Sequence, residues 1–180
     1  MKLIILRGNL KEGLSAVERA VVDNQTLPIL KNIILRAEAR LTIQATNLEI
    51  GVTAVTSAKI TEQGSVCVPF APLASVINAS TNERISLSVE KNVLTVTTDN
   101  YEAKIQGLPI EDFPIIPKLT NEEQTISFSA EVFKNALSQI ITAAATHDLK
   151  PELNSILLVV SDSVVKCVAT DGFRLAEKTL

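Results

Sequence analysis

The sequence predicts an α+β fold in which one set of parts is used twice. Three observations predict it. Short runs rich in Ile, Val and Thr recur along most of the 180 residues, separated by turn residues. A few segments switch to helical spacing. The order of these elements restarts near residue 126.

Residues 2–6 read as a strand. Leu10, Leu14, Val17 and Val21 then fall on one face of a helix over 9–23, with Asn9 as its N-cap. Pro28 stops any helix before it. Residues 33–35, 41–45 and 51–60 read as strands, followed by the short strand "GSVCVP". Pro69 opens a second helix over 70–80, with Phe70, Leu73, Val76 and Ile77 on one face. Strands at 85–89, 93–97 and 101–105 follow, joined at Lys91-Asn92 and Asp99-Asn100. Pro109, Pro114 and Pro117 lie within nine residues, and proline cannot donate to a sheet ladder. We read this stretch as interdomain, with the linker proper at 119–125. After it, residues 126–129 alternate, and Ser129 can cap a helix over 130–145 with Phe133, Leu137, Ile140, Ile141 and Ala144 in one stripe. Residues 156–160 and 164–169 are strands, with Gly172 in the turn that follows.

Laid on the beginning, the restart matches in order. Leu3 falls on Ile126, Leu10 on Phe133, Lys11 on Lys134, Leu14-Ser15 on Leu137-Ser138, Leu30 on Leu153, Ile33 on Ile156 and Leu35 on Leu158, all 123 residues apart. With one more residue in a turn, Ala45-Thr46-Asn47 falls on Ala169-Thr170-Asp171. A period this long indicates tandem domains rather than small stacked repeats. The expected boundaries are a complete first domain at 1–118 and the N-terminal half of a second at 126–180.

Composition narrows the function. The net charge of −3 gives no bulk attraction to nucleic acid or membrane, and no apolar run reaches the ~18 residues of a spanning helix. The start, "MKLIILRGNL", is too short and too soon charged for a signal peptide. Cys67 and Cys167 have no CxxC or His neighbour, so they read as reduced, half-buried thiols of a cytoplasmic protein, with no metal site and no cofactor. Neither GxxxxGK nor GxGxxG occurs, and His147, beside Asp148, is the single histidine; an enzyme is not expected.

Three stretches, "TLPILKNIIL" (26–35), "LPIEDFP" (108–114) and "VATDGFRLA" (168–176), resemble the marker stretches of the bacterial DNA polymerase III beta subunit, the sliding clamp. The resemblance implies a DNA-clamp fold: tandem domains, each of two helices packed on antiparallel sheets. It implies a non-catalytic processivity factor of DNA replication that encircles duplex DNA without reading its sequence, as a homodimeric ring, and tethers the polymerase. It also implies that the polymerase, clamp-loader and repair proteins insert a peptide into a cleft, one wall of which resembles Leu153, Thr170, Gly172, Phe173, Arg174 and Leu175. The helices would face DNA, which points to Lys11, Arg19 and Lys134, with Asn24 in the loop before "TLPIL" and Lys150 in a later loop. This chain departs from the family in having Asn24, Gln25 and Ala71 where basic residues are usual, and no basic residue on its second helix. Family chains are about twice as long, so this one reads as a fragment that is not expected to close a ring alone and is expected to bind peptides weakly. The alternative is a non-enclosing interaction module for short peptides.

Overall fold

The computed structural model describes residues 1–24, 26–117, 126–146, 150–161 and 164–180. They belong to two compact units, Met1–Lys118 and Leu119–Leu180. The linker read at 119–125, Gln25, and the His147–Asp148 pair lie outside the described residues.

In the first unit the order is β1 (Lys2–Leu6), α1 (Arg7–Val17), β2 (Asn32–Ala37), β3 (Leu41–Thr46), β4 (Gly51–Thr56), β5 (Lys59–Glu62), β6 (Gly64–Pro69), α2 (Phe70–Ala79), β7 (Arg84–Glu90), β8 (Val93–Thr97) and β9 (Glu102–Gln106). One antiparallel sheet runs β5-β1-β7-β8-β9 and the other β4-β3-β2-β6. Alternation does the sorting: Leu3 and Ile5 of β1, Leu41 and Ile43 of β3, and Leu94 and Val96 of β8 all point inward. They meet Leu10, Leu14 and Val17 of α1 and Leu73 and Ile77 of α2 in one core. Aliphatic burial of this kind drives folding at about 25 cal/mol per Å² removed from water.

In the second unit α3 (Ala130–Ile140) is followed by β10 (Leu157–Ser161), β11 (Val164–Thr170) and β12 (Leu175–Thr179), a three-stranded antiparallel sheet in that order. Ile140, Ala143, Cys167 and Ala169 make its small core. The repeat holds to the residue: α1 and α3 begin and end 123 positions apart, as do the 3₁₀ turns Glu18–Ala20 and Ile141–Ala143, and Pro28–Lys31 and Pro151–Asn154.

Several expectations are corrected. The first helix starts at Arg7 and Asn9 does not cap it. Strand β1 runs straight into the helix, so Leu6 takes the N-cap position and Asn9 falls inside the first turn; the Arg7 N–H is satisfied by the Glu83 carbonyl at 2.8 Å. Asn9 instead reaches the Ser57 carbonyl at 3.5 Å. The long helices end early, at Val17 and Ile140, because 3₁₀ turns tighten them and the chain then bonds elsewhere, Val22 N–H to Leu30 and Ala145 N–H to Leu153. Residues 51–60 are two strands, since the chain crosses at Ser57-Ala58 from one sheet to the other. Residues 126–129, read as a strand, form none. Ser129 sits at the N-cap position without a side-chain bond, and in the α3 stripe Ala136 is buried while Ile141 is exposed.

The proline-rich stretch is the largest correction. Residues 108–117 are not free linker but a flap on the first unit. Leu108 donates to the Cys67 carbonyl at 2.9 Å, and Phe113 buries against Ile34 and Cys67, with Ile110 and Ile116 beside it. Both cysteines are free and fully buried rather than half-buried. Burial, with a smaller contribution from Asp112, pushes the Cys67 thiol up to about 11.

Candidate partner-binding corner and helix surfaces

The corner between β11 and β12 is built by two side chains. Thr170 Oγ1 donates to the Arg174 carbonyl at 2.7 Å and accepts the Gly172 N–H at 3.1 Å. Asp171 Oδ1 accepts the N–H groups of Phe173 at 3.0 Å and Arg174 at 2.9 Å. Asp171 Oδ2 takes Arg174 Nε at 2.8 Å. Gly172 has φ of +89°, the left-handed region that glycine enters at no cost. The backbone N–H of Arg174 and then that of Phe173 hold the Asp171 carboxyl below its ordinary value, with the Arg174 guanidinium adding to this.

A corner held this way presents what lies outside it. Phe173 is 100% exposed and Leu175 67% exposed, an apolar pair on a pinned turn, and the Arg174 side chain is also exposed. Chain continuity thus brings Thr170, Gly172, Phe173, Arg174 and Leu175 together. Leu153 is half-buried on the separate 3₁₀ turn Pro151–Asn154, and its described bonds run to Lys150 and Ala145 rather than to the corner. Such a surface can offer apolar contact, one cationic fork and an accessible backbone to an extended peptide.

The basic residues are spread out. Lys11 on α1 and Lys134 on α3 occupy equivalent positions and are exposed, as are Arg19 and Lys150. Among the described residues none of the four is in an ion pair. Asn24 is committed to its own loop: its Oδ1 accepts the N–H groups of Thr26 at 2.8 Å and Leu27 at 3.2 Å. No group of metal-ligating side chains occurs among the described residues, and no described helix is long and apolar enough to cross a membrane. An open depression of about 570 Å³, lined by Ile4, Leu6, Asn9, Ala58, Lys59 and Arg84, was not foreseen. Its walls come from three segments distant in sequence, 4–9, 57–59 and Arg84, so no local pattern could announce it.

Fold and sequence together agree with one family. Residues 1–117 match the N-terminal domain of the DNA polymerase III beta subunit and residues 127–180 match its central domain. The chain belongs to the DNA polymerase III beta subunit family. It is 28% identical over 186 residues to a beta sliding clamp of Synechocystis, covering 98% of this chain and 47% of that one. A DNA polymerase III beta subunit from Pseudomonas aeruginosa superposes with a TM-score of 0.93 at 28% identity, over all of this chain and 50% of the other. A sliding clamp from the same organism, solved bound to griselimycin, gives 0.93 at 29% identity, over all of this chain and 49% of the other. The chain spans about half the length of the curated relatives it matches.

Proposed function

We propose that this chain carries the first domain and the start of the central domain of a sliding clamp, a non-catalytic processivity factor of the bacterial cytoplasm. Whole, such a protein would encircle duplex DNA as a homodimeric ring and tether the replicative polymerase. The observation that carries the reading is the pair of consecutive family-domain matches, 1–117 and 127–180, in family order. Lys11, Arg19, Lys134 and Lys150 would then meet phosphates, which gives sequence-independent attraction, while Asn24 would shape the loop beside them. Leu153, Thr170, Gly172, Phe173, Arg174 and Leu175 would form one wall for the peptides of polymerase, clamp-loader and repair partners.

The corner supports a second reading, a peptide-binding module that does not enclose DNA. Phe173 and Leu175 are exposed on a pinned turn, whereas the basic side chains are few and scattered. Titration of a fluorescent clamp-binding peptide tests the shared element. Phe173→Ala and Leu175→Ala should each weaken binding by roughly tenfold, the cost of truncating an apolar anchor. Peptide binding that neither change affects would refute the assignment of the corner. DNA binding that falls steeply with added salt, and that Lys11→Ala with Lys134→Ala flattens, would favour the clamp over the module.

A further inference from the structure

Leu3 and Ile5 of β1 join the core with Leu10 and Leu14, so Ile4 and Leu6 point to the opposite side of the sheet, away from the helices. That outer side carries mostly hydroxyl and charged groups: Ser86 and Ser88 of β7, Thr95 and Thr97 of β8, and Glu102 and Lys104 of β9. Ile4 and Leu6 stand among them 41% and 44% exposed. The fold does not require this. At the positions 123 residues later, Ile126 and Phe128 keep the inward side apolar, but Ser127 and Ser129 stand where Ile4 and Leu6 do. The outward apolar pair belongs to the first unit alone.

Its surroundings carry unbalanced charge. Ile4 lies directly opposite Lys59 on β5, and Leu6 opposite Arg84 on β7. Other ions of this face neutralise one another, Lys2 with Glu62 at 3.2 Å and Lys104 with Glu102 at 3.2 Å. Among the described residues neither Lys59 nor Arg84 is in an ion pair. The depression of about 570 Å³ lies between them, with Ser57, Ala58 and Asn9 in its wall. Asn9 comes from the first turn of α1, which holds no acidic side chain, so the positive end of the helix adds to the two cations. Every one of these residues lies within Met1–Lys118.

We propose that this depression docks an extended acidic peptide. One aliphatic side chain lies against Ile4 and Leu6, and carboxylates two residues to either side reach Lys59 and Arg84. The spacing fits. Two strand separations across and two residues along put Lys59 about 12 Å from Arg84. In an extended chain, residues i, i+2 and i+4 share a face, and the outer two are about 13 Å apart. The pattern recognised is therefore acid–x–aliphatic–x–acid. Nucleic acid would find no ring here on which to stack a base, and phosphates would leave Ile4 and Leu6 uncovered. The site is separate from the corner at Thr170, and it stands whether or not that corner binds peptides.

An array of pentapeptides of this pattern, beside the same set with Lys for each acid, tests it when probed with the 180-residue protein. The acidic set should be captured and the basic set should not. Fluorescence anisotropy with the best-bound acidic pentapeptide then ranks variants. Ile4→Ser with Leu6→Ser, the residues that the second unit uses, should weaken binding by roughly tenfold with an unchanged far-UV spectrum. Lys59→Glu with Arg84→Glu should move the array's preference to the basic set. Phe173→Ala should change neither result. Equal capture of both sets, or of neither, overturns the proposal. So does binding that the serine pair leaves intact, an acidic preference that survives the charge reversal, or binding that Phe173→Ala abolishes. Polyphosphate bound as tightly as the peptide, and indifferent to the serine pair, marks a surface of charge alone and also overturns it.

Discussion

At Thr46 and again at Thr170 the chain makes the same turn with different residues. In the first unit Thr46 Oγ1 donates to the Ile50 carbonyl at 2.9 Å and accepts the Leu48 N–H at 3.0 Å. Asn47 Oδ1 accepts the N–H groups of Glu49 at 3.0 Å and Ile50 at 2.7 Å. Shifted by 124 residues, every one of these bonds recurs at Thr170 and Asp171. The turn is therefore a property of Thr followed by Asn or Asp. What differs is the outer surface: Leu48, Glu49 and Ile50 become Gly172, Phe173 and Arg174. The scaffold is kept while the presented chemistry changes, the pattern expected where one copy of a duplicated element takes up binding.

The same comparison can be broken hardest in the strands. Leu35 and Leu158 are equivalent leucines, one fully buried and one nearly half exposed. Leu35→Ala should cost about 2–5 kcal/mol and Leu158→Ala about 1 kcal/mol, read by denaturation with hydrogen exchange assigning the loss to each unit. Equal costs would show that Leu158 is covered in solution.

A smaller effect separates the corners. Leu48 holds φ of +77° and Gly172 φ of +89°, the same left-handed conformation. A Cβ at Gly172 would meet nothing within 4 Å, so Gly172→Ala tests backbone strain alone and should cost about 1 kcal/mol. Leu48→Gly, measured in the same way, should be neutral or stabilise by up to about 1 kcal/mol. A clear loss there would mean that the exposed Leu48 side chain contributes packing that offsets its strain.

Much of this was legible in the sequence because matched residues carry matched bonds. Thr46 and Thr170, Leu30 and Leu153, and the two prolines Pro28 and Pro151 repeat in place. Other equivalences are hidden. Asn32 Nδ2 donates to the Ile29 carbonyl at 3.0 Å, and Ser155 Oγ donates to the equivalent Glu152 carbonyl at 2.7 Å: one bond, two residue types. A Cβ at Gly13 would sit 2.7 Å from Ile43 Cδ1, while the equivalent positions hold Ala136 and Cys167, so volume is traded between elements distant in sequence. Tertiary competition hid the rest. Asn9 has good capping chemistry, but β1 runs into the helix at Arg7, which puts Asn9 inside the first turn. The prolines at 109–117 bar a strand interior, yet Phe113 between them finds an apolar face on β2 and β6. Leu153 is proposed for the same wall by resemblance alone, and no described hydrogen bond joins it to the corner.

The smallest expected effect isolates the titratable difference at the residue that holds the turn. Asp171 can lose its charge, whereas Asn47 in the same place cannot. The Asp171 carboxyl is held below its ordinary 3.8 by the N–H groups of Arg174 and Phe173 and by the Arg174 side chain. A lowered value in the folded state means that the carboxylate stabilises the corner fully above about pH 4 and loses that contribution as pH falls through the folded value. In an NMR titration the amides of Phe173 and Arg174 should therefore shift together with a midpoint below 3.8. Those of Leu48 and Ile50 should not share that midpoint. Asp171→Asn should abolish the transition while keeping the turn, because Asn47 already shows that the amide oxygen can accept both backbone bonds. A midpoint at or above the ordinary carboxyl value would mean that the three donors do not hold Asp171 in solution. Phe173 and Arg174 would then be presented on a loose turn, and the case for the corner as a docking surface would weaken with it.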